Sequence, residues 1–190
     1  MNFLAHLLLA DGDDQRLVGG LAGDFVRGVD LSSLPSGVQR GIALHRAVDR
    51  FTDAHPLFAR SRARLPESMR HWRGVLVDVF YDHMLARDFE RHAAVRLREF
   101  ADRVYGLLDA HPDWLPPRLQ RAAPVMIEHD WLCAYAHPQG IAEILGRMGA
   151  RTRRDSPLAH AAALLPELAP GLAQDFAAFF PQVREHAAGL

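Results

Sequence analysis

The chain has a single cysteine, Cys133, and no lysine at all, so its 22 basic residues are all arginine. One cysteine excludes an internal disulfide framework and a cysteine-based zinc site, and a reducing compartment is the natural expectation. There is no excess of either charge: 22 basic residues face 23 acidic ones, for a formal net charge of −1. That balance argues against a dominant nucleic-acid-binding surface or a surface for anionic membranes, and neither partner is expected. No stretch approaches the roughly 20 consecutive apolar residues that a membrane-crossing helix needs. The first ten residues are apolar, but they lack a positive leader and run into Asp11, Asp13 and Asp14, so a secretory signal is rejected and a cytoplasmic location expected. Internal repeats, low-complexity tracts and convincing runs of alternating apolar and polar residues are also missing, which disfavours solenoids and β-sheets.

What remains is an ordinary globular composition, 49% hydrophobic and 24% charged over 190 residues. A chain of this length buries roughly 70% of its unfolded surface and folds without staples. The periodicity is helical almost throughout. It predicts helices near 2–10, 15–27, 37–54, 57–64, 68–88, 91–110, 117–135, 138–149, 156–165 and 171–187, with prolines mostly between them. The expectation is a single all-α domain over residues 1–190, a helical bundle. Gly19, Gly20 and Gly23 weaken the second helix and point to close packing against a neighbour.

The chemistry concentrates in the first 90 residues. Residues 74–85 are apolar nearly all round, yet carry Asp78 and Asp82 four apart on one face, with His83 beside them. Two like charges there call for a cation, either a shared metal ion or arginines of a neighbouring helix, and both readings stand. Residues 41–53 place His45 and Asp49 at i and i+4, within reach of one ion. Asp24 follows the small-residue helix, where the alternative is a pairing with Arg27. His6 interrupts an apolar helix, a position more often taken by a satisfied core histidine than by a ligand. His, carboxylate and water together suit Mn²⁺, Fe²⁺ or Mg²⁺ better than a structural zinc. Arg60, Arg62, Arg64, Arg70 and Arg73 cluster ahead of the Asp78/Asp82 segment, as a docking patch for an acidic partner or a solvated face. Arg151, Arg153 and Arg154 form a second run, read as bland.

Four ordered segments carry a family resemblance: Met-Asn-Phe-Leu-Ala-His at 1–6, Gly-Asp-Phe-Val-Arg-Gly at 23–28, Leu-His-Arg-Ala-Val-Asp-Arg-Phe-Thr-Asp at 44–53, and Val-Asp-Val-Phe-Tyr-Asp-His-Met-Leu at 77–85. Together they resemble the bacterial acyl carrier protein phosphodiesterase family, also called acyl carrier protein hydrolase. The resemblance implies an all-helical fold distantly related to the HD phosphohydrolases and a divalent metal, typically Mn²⁺, with Mg²⁺ or Fe²⁺ as the other choices. It implies a phosphoric diester hydrolase of fatty-acid carrier metabolism. Its reaction is removal of 4′-phosphopantetheine from holo-acyl carrier protein, and carrier protein is thus the expected partner. It further implies Asp24, His45, Asp49, Asp78 and Asp82 as metal positions and His83, with His6 and Arg46 nearby, as catalytic ones. Arg27 or Arg46 would add hydrogen bonds to the phosphate. The literal His129-Asp130 dipeptide lies outside these motifs and is set aside. Two other functions stay open on the residues alone: a metal phosphohydrolase for a nucleotide or another small phosphodiester, and a helical module that binds carrier protein without cleaving it.

Overall fold

The computed structural model describes residues 1–150, 152 and 156–190, so Arg151, Arg153 and Arg154 lie outside the described residues. Those described are helical with no strand, as the periodicity requires. The α-helices are α1 (Phe3–Leu9), α2 (Asp14–Ala22), α3 (Ser36–Ala54), α4 (Pro56–Arg64), α5 (Arg73–Arg87), α6 (Leu97–Ala110), α7 (Pro117–Glu128), α8 (Trp131–Ala134), α9 (Pro138–Ala150), α10 (Leu158–Ala161) and α11 (Leu165–Ala188). No helix among the described residues is long and apolar enough to cross a membrane.

The closest packing is between α2 and α3. A Cβ on Gly19 would collide with the Val38 carbonyl, and one on Gly41 with the Arg16 carbonyl. The stability that glycine costs a helix is here exchanged for backbone contact. Seven-residue α1 is too short to persist alone. It is held between α2, α5 and α11, with Leu4, Ala5 and Leu7 fully buried. α11 lies across α3, α4 and α5 and buries Phe176, Phe179 and Phe180.

Several boundaries differ from the periodicity, among them that of the 91–110 helix, which starts only at Leu97. The helix expected over 15–27 ends at Ala22 and tightens into a 3-10 turn, Gly23–Phe25. The 68–88 helix starts only at Arg73, because Arg70 takes a left-handed φ of 41° in the turn before it. The 117–135 segment breaks at Asp130, whose φ is 44°, a conformation aspartate tolerates better than most residues. At the C-terminus the expected gap is absent: α11 begins at Leu165 and runs through Pro170 and Pro181. Pro166 sits in the first turn, where no donor is lost. Each interior proline forfeits one hydrogen bond, and the buried aromatic face of α11 outweighs that loss.

Candidate metal centre

Helix α3 supplies the first two groups. His45 is buried, and Asp49, one turn on, keeps 42% of its side chain exposed. Helix α1 brings His6 against them from the other side. The two imidazoles stack with centroids 3.7 Å apart. The Nε2 of His6 lies 3.1 Å from Asp49 Oδ1, and that of His45 lies 3.1 Å from Asp49 Oδ2. One ligand atom from each of His6, His45 and Asp49 falls within 4.8 Å of the other two, the one such group among the described residues.

The donor chemistry fits a metal ion. His45 Nδ1 lies 2.8 Å from the Gly20 carbonyl, which can only accept, so the ring is protonated there and turns its Nε2 lone pair toward Asp49. Metal-binding histidines are commonly fixed this way by a backbone carbonyl. His6 is buried with neither ring nitrogen in an aligned hydrogen bond, an orphaned acceptor that an ion would satisfy. Burial lowers the His6 pKa to about 3, which keeps it in the neutral, ligating form. Burial also pulls His45 down, but the carboxylates of Asp49 and Asp24 beside it raise it overall. For Asp49 burial works upward, and the two imidazoles and the Met1 amine beside it hold it well below the carboxylate range. Two imidazoles and a carboxylate suit a first-row divalent ion.

Glycines shape the surroundings. A Cβ on Gly20 would meet the His6 carbonyl oxygen at 2.8 Å, and one on Gly23 would enter the His45 ring. The contact of α2 with α3 thereby puts the Gly20 carbonyl within reach of His45.

The other expected ligands are placed differently. Asp24, in the Gly23–Phe25 turn, has Oδ1 3.7 Å from His45 Nε2 and a side chain 45% exposed. Asp78 lies 2.9 Å from the Met1 α-amino group, and burial raises its pKa. Asp82 is fully buried and accepts from the amides of Leu4 (2.7 Å) and Ala5 (3.2 Å), closing the start of α1. Burial pushes its pKa to about 7 although those amides oppose the shift. Both of its oxygens are thus engaged, and the i, i+4 pair Asp78 and Asp82 faces backbone and terminal donors of α1. His83 turns away, with Nδ1 2.7 Å from the Tyr135 carbonyl. Arg46 is exposed on α3, and Arg27 is exposed as well.

The arginine cluster is partly consumed by the fold. Arg60 (2.6 Å) and Arg64 (2.7 Å) both pair with Asp175, which is buried in α11, and Arg73 donates to the Pro66 carbonyl. Arg62 and Arg70 remain on the surface. Asp130, of the His129-Asp130 dipeptide, accepts from Arg98 and Tyr105, apart from the triad.

A cavity of about 600 Å³ reaches the triad through Asp24, which lines it together with Asp78, Phe3, Phe25, Trp131 and Met148. Arg118 and Arg121 of α7 complete the lining. Neither arginine belongs to the sequence motifs that concentrate the chemistry in the first 90 residues. The available signal was the i, i+3 spacing of two arginines with no acidic neighbour on the helix before Glu128.

A family model described as acyl carrier protein phosphodiesterase matches residues 1–183. The acyl carrier protein phosphodiesterase of Serratia proteamaculans is 33% identical over 188 residues, 98% of this chain and 97% of its own. That of Yersinia pestis is 32% identical over the same shares, and that of Photorhabdus laumondii 34% identical over 83% of this chain and 80% of its own. No solved structure matches the chain.

Proposed function

The chain belongs to the acyl carrier protein phosphodiesterase family, and from that premise we propose that it is a hydrolase that removes 4′-phosphopantetheine from holo-acyl carrier protein. Water adds to the phosphorus, the bond from phosphorus to the serine oxygen breaks, and the products are apo-carrier protein with a serine hydroxyl and free 4′-phosphopantetheine. The observation that carries this reading is the His6, His45 and Asp49 cluster beside a 600 Å³ cavity, inside the region the family match covers.

His6, His45 and Asp49 would hold the metal, with Mn²⁺ the proposed occupant. When bound, such an ion supplies Lewis acidity toward the phosphate oxygens and the attacking water. The remaining work falls to the chain. Gly20 fixes the His45 tautomer through its carbonyl. Asp82 anchors α1, and so positions His6 without touching substrate. Asp24 and Asp78 are the carboxylates that face the cavity, placed to orient water and accept its proton.

Intact mass spectrometry of holo-carrier protein incubated with this protein and Mn²⁺ tests the reading. Conversion to the apo mass, stopped by a chelator, is expected. An unchanged carrier mass with a folded, metal-loaded protein contradicts it and directs the search to nucleotides and other small phosphodiesters.

A further inference from the structure

We propose that Arg118 and Arg121 form the phosphate-gripping wall of the cavity, and that the aromatic strip beside them carries the chain attached to that phosphate. The inference rests on the hydrolase reading above and assigns its substrate arm a place.

Three observations support it. Arg118 and Arg121 share one face of α7 and line the cavity, and neither has an ion pair among the described residues. Arg60, Arg64, Arg98 and Arg103 are by contrast all paired with carboxylates. Exposed, unpaired guanidinium groups lining an open cavity suit an anion, and their planar fork matches a phosphate. One turn on, Val125 is 39% exposed and continues the lining with apolar surface. Phe3 stacks on Phe25 at 5.9 Å and on Trp131 at 6.3 Å, which gives the cavity a continuous aromatic wall. A volume near 600 Å³ takes a small molecule or an extended arm and is far too small for a folded protein. The ligand class is therefore a phosphate ester with a weakly polar chain, its phosphate held among the arginines and carboxylates that line this one cavity and its chain on the aromatic wall.

Isothermal titration of the Mn²⁺-loaded protein with 4′-phosphopantetheine, pantetheine and octyl phosphate tests this, alongside the holo-carrier cleavage assay. Wild type is expected to bind phosphopantetheine about tenfold or more tighter than pantetheine. Arg118→Gln/Arg121→Gln should lose that preference while binding pantetheine as wild type does, which also reports that it is folded. Arg91→Gln, a surface change outside the cavity, should behave as wild type. Undiminished phosphopantetheine binding by the double variant overturns the assignment, even if wild type cleaves holo-carrier. Arginine-dependent binding of octyl phosphate by a wild type that leaves holo-carrier intact overturns the hydrolase reading and keeps the anion wall.

Discussion

His6 and His45 stack with ring centroids 3.7 Å apart, and each directs Nε2 to a different oxygen of Asp49 at 3.1 Å. Two imidazoles in that contact cannot both be imidazolium cations at low cost. The geometry suits two neutral nitrogens and one carboxylate converging on a cation. His6 comes from a seven-residue helix and the other two groups from α3, so the centre exists only when α1 is docked.

Gly23 is the most exposed weakness of that arrangement, because a Cβ there enters the His45 ring. Gly23→Ala should rotate His45 off the Gly20 carbonyl. Loss of such a supporting contact costs roughly 10–100-fold in metal affinity. Titration of Mn²⁺ into the folded variant should show a drop of that order, and affinity equal to wild type would contradict the account.

Asp82 acts on stability first. Asp82→Ala strips two buried amides of their acceptor, with an expected loss of about 3 kcal/mol. Urea unfolding measures it, and a midpoint within error of wild type would show that the start of α1 does not depend on this carboxylate.

The outcome at Asp78 and Asp82 shows what a sequence can and cannot disclose. Their spacing on one buried face was legible, as was the need for a compensating positive partner. The partners were not, because they are main-chain amides and the terminal amine of α1, about 77 positions away and without any side-chain signature. His6 was legible only as a polar interruption, and the stacking on His45 is what sets it apart from a core histidine. The second partner of the arginine cluster was hidden for a similar reason: Arg60 and Arg64 pair with Asp175, a buried charge more than a hundred positions away. The helical character of nearly every segment was legible, since it follows from the 3.6-residue period alone. The break at Asp130 has no glycine or proline to announce it, and α11 runs through prolines that normally punctuate.

Asp175 gives a pH signature. Burial works to raise its pKa, but hydrogen bonds from Arg64, Ser61 and Arg60 lower it overall, and Tyr81 completes the network through Ser61. A carboxylate depressed in the folded state adds stability above its unfolded pKa of about 3.9 and loses that contribution as pH falls through the lower folded value. Asp175→Asn should therefore be less stable than wild type at pH 7, by about 2 kcal/mol. The gap should narrow as pH falls below about 4. Thermal unfolding across this range checks it, and a gap independent of pH would show that the charge of Asp175 contributes nothing.

The most direct test of the metal centre is the Mn²⁺ stoichiometry of three folded proteins: wild type, Asp49→Ala and Asp82→Asn. The proposed centre uses Asp49 as a ligand, whereas Asp82 caps the start of α1. Wild type and Asp82→Asn should bind the metal with equal stoichiometry, and Asp49→Ala should bind none. Full binding by a folded Asp49→Ala would contradict the assignment of the centre to His6, His45 and Asp49.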